Sequence, residues 1–149
     1  MAKLVFEELI TLNCFFFTVV QVVQFQSFVK PVKTKMYSLS DSLLHYSATN
    51  DPNEWNDFAL GAGFINLSNN ASGSEDLQAM ANYFDNVAVF AKQAIQIWFV
   101  DADDTKNLQV QVLGNTGTFA PNSVVEFGDN DVFYLSNSGI RSLRARDSS

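Results

Sequence analysis

Short apolar runs separated by turn residues dominate this sequence, and they predict β-strands rather than helices. Residues 108–113 alternate Leu and Val with Gln, and a period of two is typical of a half-buried strand. For residues 77–84 a strand is favoured over a short helix. Turns at Asp85-Asn86 and about Lys92-Gln93 join neighbouring strands into hairpins. The other predicted strands are residues 35–39, 43–48, 87–91, 94–100, 124–127, 132–135 and 140–145, and the predicted polar loops are residues 49–63 and 66–76.

Three hairpin segments can be superposed on one another: residues 37–51, 89–103 and 134–148, at spacings of 52 and 45 residues. Repeats of about 40–50 residues, each a four-stranded antiparallel meander, are typical of β-propeller blades. We therefore expect an all-β fold that is part of a β-propeller, with about two blades plus flanking strands. A sandwich or another meander is the alternative. Since a propeller needs about four blades to close, this fold predicts that the chain is part of a longer protein.

The first 27 residues form a divergent apolar segment ahead of the propeller-like region at residues 28–149. Its most apolar run, residues 14–23, is shorter than the roughly 18 residues that a membrane span requires. Glu7 and Glu8 interrupt the basic start that a signal peptide would have. We expect one or two buried strands over residues 17–29, with a signal peptide or membrane anchor as the alternative.

The composition indicates a folded domain with an acidic body. Hydrophobic residues make up 47% of the chain and aromatic residues 13%, too many for a disordered segment. The net charge is −7, and residues 36–149 hold fourteen acidic and five basic residues. Such a surface disfavours DNA binding, which relies on Lys and Arg, but suits a protein that lies near DNA without adhering to it. Simple solubility is the alternative explanation. The single cysteine, Cys14, excludes an internal disulfide.

Several stretches of the chain resemble one class of viral protein. They are residues 42–52 (SLLHYSATNDP) with Trp55, residues 63–67 (GFINL), residues 96–101 (QIWFVD), residues 115–118 (NTGT) with 120–124 (APNSV), and residues 131–136 (DVFYLS) continuing through 139–149 (GIRSLRARDSS). Over residues 28–149 the sequence is similar to virion structural proteins of short-tailed bacteriophages, of the tail nozzle (tail tubular protein B) and packaged-DNA-stabilisation kind.

The resemblance implies a propeller-bearing component of the virion tail, made in the host cytoplasm and assembled as a ring that lines the DNA exit channel. Expected partners are other copies of the chain, neighbouring tail and head–tail adaptor proteins, and DNA that passes without sequence-specific binding; no membrane is expected. Members of these families are longer than this chain. The role implies no enzymatic activity, no cofactor, and no catalytic, cofactor-binding or metal-ligating residues.

Three features of the sequence have alternative chemical interpretations. His45, the only histidine, would be the base of a Ser/His/Asp relay, but no Gly-x-Ser-x-Gly motif accompanies it, and a structural role is favoured. Asp101, Asp103 and Asp104 form an acidic loop of the kind that binds Ca²⁺. Lys106 and Val112 stand where an EF-hand requires Gly and Glu, so a solvated loop is favoured. The stretch Gly128-Asp129-Asn130-Asp131 is better explained as a hairpin turn than as a metal site.

The basic residues near the C-terminus and two aromatic residues suggest further roles. Arg141, Arg144 and Arg146 are expected on one terminal strand, with Arg144 and Arg146 on the face opposite Arg141. They would form intrachain salt bridges, or else contact a neighbouring subunit or DNA. The alternative function is a carbohydrate-binding or glycoside-cleaving propeller, such as a receptor-binding tail element. The feature that would indicate this function is an exposed Trp55 or Tyr83 beside two carboxylates.

Overall fold

A computed structural model describes residues 29–68, 76–128 and 130–147. These residues are mostly β-strand, with short 3₁₀ helices at Phe58–Leu60, Asp104–Lys106 and Pro121–Ser123. The predicted strands over residues 17–29 lie outside the described residues, except for Val29. The elements are β1 (Val29–Val32), β2 (Lys35–Ser40), β3 (Leu43–Tyr46), β4 (Gly63–Asn66), β5 (Leu77–Tyr83), β6 (Asn86–Ala91), β7 (Ala94–Phe99), β8 (Leu108–Gly114), β9 (Val125–Phe127), β10 (Asp131–Ser136), β11 (Gly139–Ser142) and the helix α1 (Leu143–Asp147).

The strands form three antiparallel sheets in which each strand pairs with its neighbour in sequence. The first sheet contains β1–β4, the middle sheet β5–β8 and the third sheet β9–β11. Their first strands begin at Val29, Leu77 and Val125, so the sheets recur every 48 residues. The prediction of an all-β fold built from antiparallel meanders is confirmed. The described sheets do not close into a ring, so the propeller stays a prediction.

The middle sheet lies between the other two because alternate residues of a strand point to opposite faces. Val87 and Val89 of β6 join the first core, which combines side chains of the first and middle sheets. Ala88 and Phe90 of the same strand join the second core, which combines the middle and third sheets. Both faces of the middle sheet are therefore covered, and β5–β7 consist almost entirely of apolar residues, as expected for strands buried on both sides.

Tight turns set the registers of the hairpins, and one of them differs from the prediction. Tyr83 pairs with Asn86, so the turn between β5 and β6 is Phe84-Asp85 rather than Asp85-Asn86. Phe84 takes the positive φ of 51° that such a turn needs, and its ring meets that of Tyr83 edge-on at 4.8 Å between centroids. The contact between the two rings accompanies a backbone conformation that is unusual for phenylalanine.

In the predicted superposition of the three hairpins, the first hairpin is offset by one residue from its position in the structure. The returning strands begin at Leu43, Ala94 and Gly139, which gives spacings of 51 and 45 residues instead of 52 and 45. A shift of one residue exchanges the two faces of a strand. As a result Leu44, not Leu43, is the residue of β3 that is fully buried in the first core.

One further prediction of local structure was wrong. Residues 49–63 were expected to be loop throughout, but Gly63 begins β4, which pairs with β3. Strand β8 forms as predicted, yet Leu108, Val110 and Val112 are exposed while the glutamines between them are half-buried. The amide of Gln109 donates to Oε1 of buried Gln96 at 3.1 Å, so this polar contact, together with an irregularity in the register, determines which face turns inward.

The predicted terminal strand at residues 140–145 is also wrong, since β11 ends at Ser142 and α1 follows. Ser142 precedes the helix, and its Oγ accepts a hydrogen bond from the N–H of Ala145 at 3.3 Å, as an N-cap does. The helix itself, Leu-Arg-Ala-Arg-Asp, begins with four strong helix formers. Arg141 therefore lies on a strand and Arg144 on a helix, not on opposite faces of one strand.

Asp131 holds the start of this helix against the third sheet. Its carboxylate accepts hydrogen bonds from the N–H groups of Val132 (2.7 Å) and Arg144 (3.1 Å) and from Oγ of Ser142 (2.6 Å). Burial raises the pKa of Asp131, but these three hydrogen bonds outweigh it, and the net pKa lies below the ordinary value of 3.8. The ionised form is thus the one that stabilises the fold.

We expect Asp131→Asn to destabilise the protein at pH 7 by about 1 kcal/mol, through weaker hydrogen bonds at a partly exposed site. Because the folded-state pKa is lowered, the contribution of Asp131 is complete above 3.8 and is lost as the pH falls through the folded-state pKa. Urea denaturation at pH 7 and below pH 4 should therefore show a shrinking difference between wild type and variant. Ser142→Ala should reduce this pH dependence in part; a pH-independent difference would contradict the role given to the carboxylate.

Candidate functional site

A buried lysine connects the first sheet to the acidic loop. Lys35 begins β2, is only 3% exposed, and donates from Nζ to the carbonyl oxygen of Gly61 (2.6 Å) and to Oδ1 of Asp104 (2.5 Å). The same ammonium lies 4.6 Å from the centroid of the Tyr46 ring. The first sheet is thereby tied to the loop that joins β7 to β8 in the middle sheet.

Two tyrosines beside this lysine are held in the neutral form. Burial, followed by the charge and hydrogen bonding of Asp104, raises the pKa of Tyr46 to about 12. Burial, with smaller contributions from Tyr46 and Asp104, also raises the pKa of Tyr37. Neither phenol is poised to exchange a proton near neutral pH, so the environment of Lys35 has the properties of a structural junction rather than of an acid–base centre.

The acidic loop uses its carboxylates within the fold. Asp104 pairs with Lys35, Asp103 accepts from the N–H (3.1 Å) and Oγ1 (2.7 Å) of Thr105, and Asp101 accepts from the N–H of Asp103 at 3.1 Å. The Thr105 hydrogen bonds lower the pKa of Asp103. Within residues 29–68, 76–128 and 130–147, no three His, Cys, Asp or Glu side chains are grouped so as to hold a metal ion.

His45 lies on β3 and faces away from the middle sheet. Its ring is 5.9 Å from that of Phe64, its cross-strand partner on β4, and burial lowers its pKa against an opposing effect of Asp41. Ser38 is its partner on the other side, in β2, and the Ser38 hydroxyl is buried without a hydrogen-bond partner. No hydrogen bond joins this serine to the histidine, and His45 packs against Phe64.

The two aromatic residues of the carbohydrate alternative lie in different environments. Tyr83 is buried, not exposed, because its strand belongs to the middle sheet. Trp55 is half-buried, and its Nε1 donates to the carbonyl oxygen of Pro52 at 2.8 Å. The nearby carboxylates serve the loop itself, since Glu54 accepts from two backbone N–H groups and Asp57 caps the 3₁₀ helix at Phe58–Leu60.

The predicted basic cluster is divided between two elements. Arg141 donates from Nε (2.9 Å) and Nη2 (2.5 Å) to Oγ of Ser138, in the turn that precedes its own strand. Arg144 is exposed on α1. The side chain of Arg146 lies outside the described part of the structure. Arg141 thus has a local, neutral partner instead of the salt bridge that was the simplest expectation.

The first strands of the three sheets meet through polar side chains. Lys30 of β1 forms an ion pair with Glu126 of β9 at 3.0 Å. Between them lies Asn82 of β5, whose N–H donates to the same Glu126 carboxylate at 2.6 Å and whose Nδ2 lies 3.5 Å from the carbonyl oxygen of Pro31. The sheets therefore converge along their first strands, an arrangement in which they fan outward from a common edge.

The third sheet exposes an apolar face. Cross-strand pairing places Phe133 with Val125, and Leu135 with Ile140, on the side opposite the second core. Phe127 is on the same side, 70% exposed, with its ring 6.0 Å from that of Phe133. We call these five residues the outer face of the third sheet. Four aliphatic or aromatic side chains exposed together are unusual on a lone soluble domain and indicate an interaction surface.

The first sheet has a corresponding face. Its members are the residues that point away from the middle sheet, and Phe64 is the most exposed of its large apolar side chains, at 52%. The buried Ser38 hydroxyl that lacks a partner belongs to it. We call this set the outer face of the first sheet: Val29, Pro31, Met36, Ser38, Ser40, Leu43, His45, Phe64 and Asn66.

Sequence reasoning missed Lys35 and both outer faces. The strands that carry the outer face of the third sheet were predicted, but a local pattern does not reveal which face a neighbour covers. Among the described residues, the structure contains no helix with the length and apolar character that crossing a membrane requires. No protein family model, curated protein or solved structure matches the chain.

Proposed function

We propose that the chain is a structural subunit of a ring-shaped β assembly, and that this assembly is the nozzle of a short-tailed bacteriophage. The observation that carries the structural role is the outer face of the third sheet, where Phe127, Phe133 and Ile140 remain exposed. The equivalent side of the middle sheet is fully buried against its neighbour. A subunit built this way gains stability by adding a further sheet to its exposed face.

The regular architecture supports a ring rather than an isolated pair of contacts. Three meanders follow one another at a constant spacing of 48 residues and converge along their first strands, as propeller blades do. The assignment to a phage tail is supported by the sequence resemblance over residues 28–149. Tail components of this kind, neighbouring adaptor proteins and further copies of the chain are the proposed partners.

The charge and chemistry of the chain support a passive role beside DNA. A net charge of −7 repels phosphates and lets DNA pass without adhering. The proposal includes no catalytic activity, since His45 packs against Phe64 and the carboxylates of the acidic loop serve the fold. His45 and the three aspartates of the acidic loop are thus occupied by structural contacts.

The proposed location in the virion tail is tested on phage particles from a culture in which this chain is produced. Virions purified on a density gradient should contain peptides of this chain, detected by mass spectrometry, and antibody labelling should place the chain at the tail end. After the heads are disrupted, it should co-purify with tails. A non-structural enzyme encoded beside it serves as the control and should be lost during purification. Absence of the chain from particles that retain their tails would overturn the proposed location.

A further inference from the structure

We infer that the two outer faces bind each other between two copies of this chain. The outer face of the first sheet of each copy packs on the outer face of the third sheet of the other, and a twofold axis closes a ring of six sheets. The inference deepens the proposed structural role by naming the partner and the surfaces, and it does not depend on the location in a virion.

The three sheets pack on one another in the order of the chain, and this order determines which two faces can match. Each described sheet has a side that meets the following sheet and a side that meets the preceding one. The first core joins Tyr37 and Leu44 of the first sheet to Val87 and Val89 of the middle sheet. The second core repeats this relation one sheet later, from the middle sheet to the third. The outer face of the third sheet is therefore a following side, and the outer face of the first sheet is a preceding side.

The two faces are also chemically compatible. At the existing junctions, aromatic residues of one sheet pack on aliphatic and aromatic residues of the next, as Phe90 does on Tyr134 at 5.1 Å between ring centroids. The outer face of the third sheet offers Phe127 and Phe133, and that of the first sheet offers Met36 and Phe64. The two faces would thus form a third junction of the same kind. The one carboxylate on that side of the third sheet, Asp131, already accepts three hydrogen bonds within its own sheet and helix.

The orphan hydroxyl of Ser38 is a second sign that this face is covered in the assembled state. Ser38 is 5% exposed, and its Oγ has no hydrogen-bond partner. Buried polar groups are nearly always satisfied, so such a group requires an explanation. On the facing side of another copy, Asp131 and Ser142 point in the same direction as Phe127 and Phe133 and carry polar atoms that the single chain does not bring to Ser38.

The number of copies follows from the number of sheets. Propellers typically contain four to eight blades around a common centre. One copy contributes the three described sheets, which is too few, and three copies would contribute nine, which is too many. Two copies give six, and a twofold axis then makes both junctions identical, so that no outer face remains exposed. A head-to-tail chain without closure would instead extend into a filament.

The test is the mass of the full chain in solution, measured by sedimentation equilibrium or light scattering. The 16.6 kDa chain should form a species of about twice that mass at micromolar concentration. Phe64→Asp and Phe127→Asp each place a charge on one outer face, at side chains that are 52% and 70% exposed, so the single copy should still fold. Each should weaken the dimer at least 100-fold, because every junction contains one face of each type.

A mixture of the two variants provides the sharper test. A copy with Phe64→Asp and a copy with Phe127→Asp together have one junction without a substitution, so mixing should restore part of the dimer that neither forms alone. Phe58→Asp is the matched control: Phe58 is 69% exposed at the start of the 3₁₀ helix Phe58–Leu60 and belongs to neither outer face, so the dimer should persist. Circular dichroism of each variant confirms that it is folded.

Four results would overturn the inference: a wild-type monomer at tens of micromolar, filaments in place of a discrete dimer, a dimer insensitive to Phe64→Asp, or a mixture without recovery. A dimer that Phe127→Asp weakens and Phe64→Asp does not would mean that two third-sheet faces bind each other. Failure of the inferred dimer is distinguishable from failure of the proposed tail location. A chain that is monomeric in solution but present in virion tails overturns only the dimer. A closed dimer absent from tails overturns only the tail location.

Discussion

Lys35→Ala should lower the free energy of unfolding by about 3 kcal/mol, as expected when one partner of a buried ion pair is removed. The change leaves the carbonyl oxygen of Gly61 and the carboxylate of Asp104 without the ammonium that they share. Because the Asp104 side chain is 36% exposed, water compensates in part, and the value lies at the low end of the range for buried pairs. Urea denaturation monitored by fluorescence measures the loss.

The matched control is Lys92→Ala, which removes an ion pair with Asp76 at 3.0 Å whose two side chains are both exposed. This variant should remain within about 0.5 kcal/mol of wild type. A double-mutant cycle with Asp104→Asn should show coupling between Lys35 and Asp104. Equal losses for the two lysine variants, or no coupling in the cycle, would show that the Lys35 pair does not hold the first sheet to the acidic loop.

Gly117→Ala should cost about 3 kcal/mol, the upper part of the range for overpacked sites. A Cβ at this position would lie within 2.2 Å of the carbonyl oxygen of Ala91 and 2.7 Å of backbone atoms of Lys92, none of which belongs to a flexible side chain. The neighbouring residues fix the approach, since Thr116 and Thr118 donate from their N–H groups to the carbonyl oxygens of Gln93 and Ala91. Thermal and urea denaturation would both report the loss.

Gly114→Ala is the control for this substitution. Gly114 lies only three residues earlier, at the end of β8, and a Cβ there would meet no atom within 4 Å. It should change stability by less than about 1 kcal/mol, in either direction. If both alanine variants were equally stable, the segment after β8 would not cross the hairpin of β6 and β7 as closely as the structure shows.

Much of the secondary structure could be predicted because the strands are short apolar runs bounded by polar turns. The strands at residues 87–91 and 94–100, with their turn at Lys92-Gln93, agree with β6 and β7 to within a residue. The helix at the C-terminal end was missed although its signal is local: Ser142 can cap, and the residues after it favour helix. The prediction followed the apolar spacing of residues 140–145, which favours a strand, rather than the capping signal of Ser142.

The functional features were less accessible from sequence because they depend on distant pairings. Lys35 and Asp104 are 69 positions apart, and nothing local marks this lysine as buried. Strand β8 shows the same limit: its alternation predicted a strand correctly but did not indicate that the face carrying Gln109, which donates to Gln96, is the more buried one. Periodicity reveals that a strand has two unlike faces, whereas the neighbouring sheet determines which of them is covered.

Burial of the middle sheet on both sides has a consequence for synthesis. Strands β6 and β7 emerge from the ribosome before the third sheet exists, and they are apolar, rich in Val and Ile, and free of charged residues. Such segments are prone to self-association until the third sheet has formed and packs on them. The exposed Asp85 and Lys92 stand at the two ends of β6, where a charge discourages intermolecular pairing. We therefore expect Asp85 and Lys92 to limit aggregation of the nascent chain until the third sheet covers β6 and β7.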